Sequence, residues 1–161
     1  MRLTNYTDYA LRLLMYLALR DDGLATIGDV AHSFGISRNH LMKVAHELGV
    51  AGYIETVRGR GGGLRLARSP GAIVLGDVVR YAEPDMSLVP CFKPMDEPCP
   101  IRKLCVLQQA LDRARWAFLE VLDGYTLEDL VKPRSGLRKI LSIGPVPGKA
   151  ARLPAGAGTA A

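Results

Sequence analysis

The chain holds three cysteines, and all of them fall within one 15-residue window: Cys91, Cys99 and Cys105. Thiolates are soft ligands that favour zinc, copper(I) or iron–sulfur clusters. Structural zinc sites usually pair two cysteines across two to four residues. Here seven and five residues separate consecutive cysteines, so there is no tight zinc knuckle. Wide gaps suit a larger object, such as a cluster whose irons are held by thiolates. Three thiolates leave a fourth ligand position to another residue or to an exogenous group. Free thiols, or one disulfide with a leftover thiol, stay open on spacing alone. The odd cysteine count and the reading of MRLTNYTDYALRLL as an amphipathic helix, not a signal peptide, speak against an extracellular disulfide framework.

The elements around this window must position it. Tyr6, Tyr9, Leu13, Tyr16 and Leu17 recur at helical spacing over residues 5–20, with Leu14 and Met15 widening the stripe. Asp21, Asp22 and Gly23 are expected to end that helix. Thr26 is placed to cap a short helix from Ile27 to about Phe34, Gly35 to make a tight turn, and Ser37 to cap a helix over about residues 38–50. Helix, glycine turn, helix is a helix-turn-helix pattern. Ile27, Val30, Ala31, Ile36, Leu41, Val44 and Leu48 are its expected core, with Met42 counted among the inward residues. YIETV and LRLA read as strands joined by the basic, glycine-rich RGRGGG, which makes a wing. Gly61–Gly63 permit positive dihedrals and a close backbone approach.

Residues 73–83 read as a short strand or turn leading into a helix. A proline-rich loop covers residues 84–100, and a long helix is expected over residues 101–123. Its apolar stripe is Leu104, Leu107, Leu111, Ala114, Phe118, Val121 and Leu122. Such a helix needs a partner surface, and a two-fold dimer is the simplest supplier. Thr126 is placed to cap a last short helix, LEDLV. The fold class is therefore mainly α with a small β wing: a winged helix-turn-helix plus a long dimerisation helix. Three regions follow: a DNA-binding domain over 1–70, a cluster-binding loop and dimerisation helix over 71–132, and a basic tail over 133–161, disordered except for a short SGLRKILSI segment.

Charge agrees with this division. Residues 1–70 carry a net +3 and residues 71–132 a net −3, whereas the tail has Arg134, Arg138, Lys139, Lys149 and Arg152 and no acid. A basic N-terminal half suits phosphate contact. No apolar run approaches the roughly 18 residues that span a membrane, and a cytoplasmic protein is expected. An enzyme is not: no cysteine–histidine–acid arrangement is evident, and GRGGG lacks the strand-to-helix setting of a dinucleotide site. Soft ligands behind a DNA-reading module point to a regulator whose grip on DNA depends on an inorganic cofactor.

MRLTNYTDYALRLLMYLA, SRNHLMKVAHELGVAGYIETVRGRGGGLRLA, GDVVRYAEPD and the cysteine loop together resemble the Rrf2 family of bacterial transcription regulators. SRNHLMK, SLVPC, CPIRKLC and YTLEDLV are similar to its nitric-oxide-sensing branch. The resemblance covers residues 1 to about 132 and leaves the tail outside. It implies a homodimer with one iron–sulfur cluster per subunit, either 4Fe–4S or, as the alternative, 2Fe–2S. Cys91, Cys99 and Cys105 then take the cluster-ligand positions, and Asp8 takes the fourth, contributed by the other subunit. Read without the resemblance, Asp8 is a first-turn acid favoured by the helix dipole. Arg12 and Asp85 are candidates to hold the ligands through hydrogen bonds. A related branch uses a histidine just after the third cysteine; here none follows His46.

The implied function is a repressor that senses nitric oxide and releases inverted-repeat operator DNA when its cluster is nitrosylated. Sensing of iron or redox status is the alternative. On the recognition helix, Arg38, Asn39 and His40 are placed for base edges, and Ser37 and Lys43 for phosphate. Arg58 and Arg60 on the wing are assigned to the minor groove.

Overall fold

A computed structural model describes residues 2–20, 24–93 and 99–144. Three helices come first: α1 (Asn5–Leu19), α2 (Ile27–Phe34) and α3 (Arg38–Val50). On α1, Ala10, Leu13, Leu14 and Leu17 are buried at the i, i+3, i+4, i+7 spacing of one helical face. The expected stop at residues 21–23 lies outside the described residues. A capping box starts α2: the Thr26 hydroxyl accepts from the Asp29 N–H and the Asp29 carboxylate accepts from the Thr26 N–H. Gly35 ends it at φ 65°, a left-handed turn that favours glycine. Ser37 holds the cap position of α3, but its side chain makes no capping hydrogen bond, so the expected Ser37 cap is positional only.

Antiparallel β1 (Ile54–Val57) and β2 (Gly63–Leu66) form the wing, with Ile54 opposite Leu66 and Val57 opposite Gly63. β2 also hydrogen-bonds to Ala25: the Leu64 N–H donates to the Ala25 carbonyl at 2.7 Å, and the Ala25 N–H donates back at 3.0 Å. A Cβ on Gly63 would lie 2.7 Å from that carbonyl, so only glycine allows the wing to close on the α1–α2 connection.

The second half contains α4 (Leu75–Ala82), α5 (Val106–Asp123), α6 (Leu127–Leu130) and α7 (Arg134–Ile140). A bridge joins Val74 to Thr126, and Thr126 forms a capping box with Asp129. Ile73, Val78, Leu127, Val131, Leu141 and Ile143 are buried in the same core as α1–α3. The short ordered segment expected in the tail is thus α7 and the turn after it; residues 145–161 lie outside the described residues.

Three expectations need correction. The long helix begins at Val106, not near residue 101; Arg102–Leu104 form a 3-10 turn, and Leu104 is 88 % exposed. Within α5 only Leu119 is buried, so the expected stripe is largely uncovered, with Leu107 and Val121 exposed. Met42 is 53 % exposed and is not core, because the buried face of α3 is Leu41, Val44, Ala45 and Leu48.

Candidate metal centre and nucleic-acid interface

The cysteines are carried by irregular backbone. Cys91 lies in a 3-10 turn (Pro90–Phe92), where proline favours the turn, and Cys105 is the N-cap of α5. The Cys105 sulfur accepts a hydrogen bond from the Gln108 N–H at 3.4 Å. All three thiols are free and partly exposed. Among the described residues, no three His, Cys, Asp or Glu side chains converge as a metal group. The fold of one chain therefore does not bring Cys91, Cys99, Cys105 and Asp8 together.

The donor set nevertheless fits an iron–sulfur group. Three thiols outside any disulfide share one loop, and one donor beside that loop lacks an acceptor among the described residues. Arg115, on α5, lies over the Phe92 ring at 5.4 Å, next to Cys91. Its Nε is buried and has no hydrogen-bond partner among the described residues. A thiolate or sulfide is the kind of acceptor such a donor requires.

Asp8 sits in the first turn of α1 and is partly exposed. Arg12 donates from Nε to its carboxylate at 2.9 Å, and the Arg12 guanidinium lies 5.7 Å from the centre of the Phe34 ring. Asp85 accepts from the Ser87 N–H at 2.9 Å and pairs with Lys93. The Lys93 ammonium, then the Ser87 hydrogen bonds, hold its carboxyl down to about 2. Arg12 thus braces Asp8, while Asp85 braces the loop at Lys93, two residues past Cys91.

Sequence reading missed two positioning features. The first is Glu83, which caps the end of α4 and is only 8 % exposed. Its Oε1 accepts from the Thr4 N–H (2.7 Å), from the Thr4 hydroxyl (3.1 Å) and from the Thr7 hydroxyl. The mouth of the cysteine loop is thereby tied to the start of the helix that carries Asp8. The acid just before Pro84 in GDVVRYAEPD was the available signal, but nothing local in that segment marks it as buried. The second is Tyr9, whose ring stacks on His40 of α3 at 6.0 Å between centroids and 26° between planes. The residue after Asp8 therefore touches the recognition helix.

Ser37, Arg38, Asn39, His40 and Lys43 are all exposed on the first turns of α3, and Arg58 and Arg60 are exposed on the wing. Arg38 folds toward the start of α2: a Cβ on Gly28 would lie 3.0 Å from its guanidinium. No helix among the described residues is long and apolar enough to cross a membrane.

Known proteins give the same picture. The Rrf2 family pattern, described as an iron-dependent transcriptional regulator, matches residues 3–133. The chain is 48 % identical over 143 residues to the HTH-type transcriptional regulator NsrR of Bacillus licheniformis, a match covering 88 % of this chain and 100 % of the relative. Identity to the regulator of the same name from Geobacillus kaustophilus is 51 % over 142 residues, covering 88 % and 97 %. Among solved structures, the global cysteine regulator CymR of B. subtilis superposes with a TM-score of 0.66 at 28 % identity, covering 83 % of this chain and 98 % of that one. IscR of T. potens superposes at 0.67 and 26 % identity, covering 83 % and 88 %. These relatives are transcriptional regulators with the same mainly helical, winged architecture, and the chain belongs to the Rrf2 family.

Proposed function

We propose that this protein is a homodimeric repressor, working in the cytoplasm, that binds one iron–sulfur cluster per subunit and releases operator DNA on exposure to nitric oxide. The observation that carries this reading is the placement of three free, partly exposed thiols on one loop that is tied through Glu83 to the helix bearing Asp8. The resemblance to the nitric-oxide-sensing branch and the identity of about half to regulators named NsrR support the choice of signal.

Cys91, Cys99 and Cys105 would hold the cluster, with Asp8 of the other subunit as its oxygen ligand. When bound, the cluster supplies iron that reacts with nitric oxide. The chain's own residues do the rest. Arg12 orients the Asp8 carboxylate, and Glu83 keeps α1 in register with the loop. Tyr9 carries the position of α1 to His40 and so to the base-reading turns of α3. A tethered Asp8 fixes α1, and with it the separation of the two recognition helices. A released Asp8 leaves α1 free to shift. Every 1.4 kcal/mol of differential binding between the two arrangements changes DNA occupancy about tenfold.

The test is an absorbance titration of anaerobically purified protein with nitric oxide. Loss of visible cluster bands at a few molecules of nitric oxide per cluster is expected. A cluster that persists in excess nitric oxide but is lost on iron chelation would move the assignment to iron sensing. Iron-free, colourless protein would return the thiols to zinc or to no ligand. Asp8→Ala should leave the three cysteines able to bind iron but make the cluster markedly more labile.

A further inference from the structure

The first turns of α3 expose one large apolar side chain among polar ones. Arg38, Asn39, His40 and Lys43 face solvent, and so does Met42, which is 53 % exposed. Successive residues of an α-helix are turned by about 100°. Met42 therefore projects about 40° round the axis from Arg38 and about 60° from Asn39, between the two side chains placed for base edges. Leu41, Val44, Ala45 and Leu48 fill the buried side of the helix.

Met42 also forms one wall of an open groove beside α3. The groove is lined further by His46 and Val50 on α3, Ile27 at the start of α2, Thr56 on β1 and Leu64 on β2. It thus separates the recognition helix from the wing. Arg38 and Lys43 stand exposed on the helix side, and Arg58 and Arg60 on the wing side. A helix in the major groove and a wing in the adjoining minor groove have one sugar-phosphate strand between them. The groove, basic on both sides, continues the DNA interface of these two elements. Met42 is the α3 lining residue closest to the base-facing end of the helix. In the major groove only thymine presents an apolar group, its 5-methyl; the other base edges present donors and acceptors. A thioether pressed against those edges leaves them unpaired. Against the methyl it removes apolar surface from water without that cost.

We propose that Met42 is a specificity residue of the DNA interface: it packs on the 5-methyl group of a thymine at the edge of the major groove, while the groove behind it seats the sugar-phosphate strand between α3 and the wing. The inference deepens the DNA-binding reading and rests on it, but not on the cluster or the signal. Met42 reads base identity by apolar contact where Arg38 and Asn39 read it by hydrogen bonds. A two-fold dimer places one such contact in each half of an inverted repeat.

The test uses full-length protein purified anaerobically and the duplex that it enriches from a randomised pool of roughly 30-base-pair fragments, about three helical turns. Deoxyuridine replaces each thymidine of that duplex in turn, which removes the methyl and leaves base pairing unchanged. At one position in each half-site the change should weaken binding about fourfold per methyl, read by fluorescence anisotropy. Met42→Ala should bind thymidine and deoxyuridine duplexes alike at that position, whereas Met42→Leu, which keeps an apolar tip, should retain the discrimination. The scan on the parent decides the matter even if a variant fails to fold. Equal affinity of the parent for every deoxyuridine duplex overturns the inference, and so does full discrimination by Met42→Ala. A Met42→Ala protein that sediments as a monomer and weakens equally on both duplexes also overturns it, and gives the groove to the second subunit. In each of these cases the DNA-binding reading stands. A parent that enriches no duplex overturns both.

Discussion

The Thr7 hydroxyl on α1 donates to the carboxylate of Glu83, 76 residues later at the end of α4. Thr4 adds its N–H and hydroxyl to the same oxygen. One buried acid thus organises three donors at the start of a helix. Glu83→Ala leaves the buried Thr7 hydroxyl and the part-buried Thr4 donors without this acceptor, at about 1–3 kcal/mol for a buried unsatisfied group and less for a part-buried one. A total near 3 kcal/mol, or a fall of about 10 °C in Tm by calorimetry, is expected. Glu83→Gln keeps one carbonyl acceptor and should lose about half as much. A shift below about 2 °C for the alanine variant would show that water replaces the carboxylate.

Tyr9 should matter to DNA binding without touching DNA. Tyr9→Ala removes the ring stacked on His40, a contact worth about 0.5–1.5 kcal/mol. Operator affinity should fall about threefold to tenfold in a gel-shift titration, while iron content per subunit stays at the parental value. His40→Ala should fall at least as far. Unchanged affinity in both variants would remove His40 from the reading surface.

Neighbouring residues on α3 should behave as opposites. Leu41 has no exposed surface and Met42 is half-exposed. Leu41→Ala creates a cavity and should cost about 3 kcal/mol, whereas Met42→Gln should fall within about 0.5 kcal/mol of the parent in urea unfolding.

Tyr6 provides an alkaline signature. Burial, then the nearby negative charge of Glu47 and the proximity of Tyr81, push its phenol up to about 12 from 10.0. Folding favours the neutral phenol, so this contribution is fully present below pH 10 and is lost as pH rises through about 12. A tyrosinate absorbance titration should show a late phase, and Tyr6→Phe should remove that phase and flatten the decline in stability between those two values.

Local signals carried much of the reading. Thr26 and Gly35 mark the limits of α2 because capping and the left-handed turn depend on close neighbours. Ile101 and Leu104 misled at α5: their spacing continues the helical period, but the chain runs through a 3-10 turn until Cys105 caps the helix. Met42 misled because an apolar type was taken for an inward direction; one residue on from Leu41 the helix has rotated by about 100°. At the site, residue types near the cysteines were legible, whereas Glu83 was not, because its partners are nearly 80 residues away along the chain. The stacking of Tyr9 on His40 depends on how α1 crosses α3, which neither helix encodes alone.

α5 has one further consequence. Its 18 residues extend about 27 Å, yet only Leu119 is buried, and Leu107, Trp116 and Val121 stand exposed. In the dimer proposed above, a second polypeptide covers them, so folding and association are one equilibrium. The melting temperature should then climb with the logarithm of protein concentration. A cell with few copies would hold a more fragile regulator than one with many, and abundance itself would become part of the set point at which repression fails.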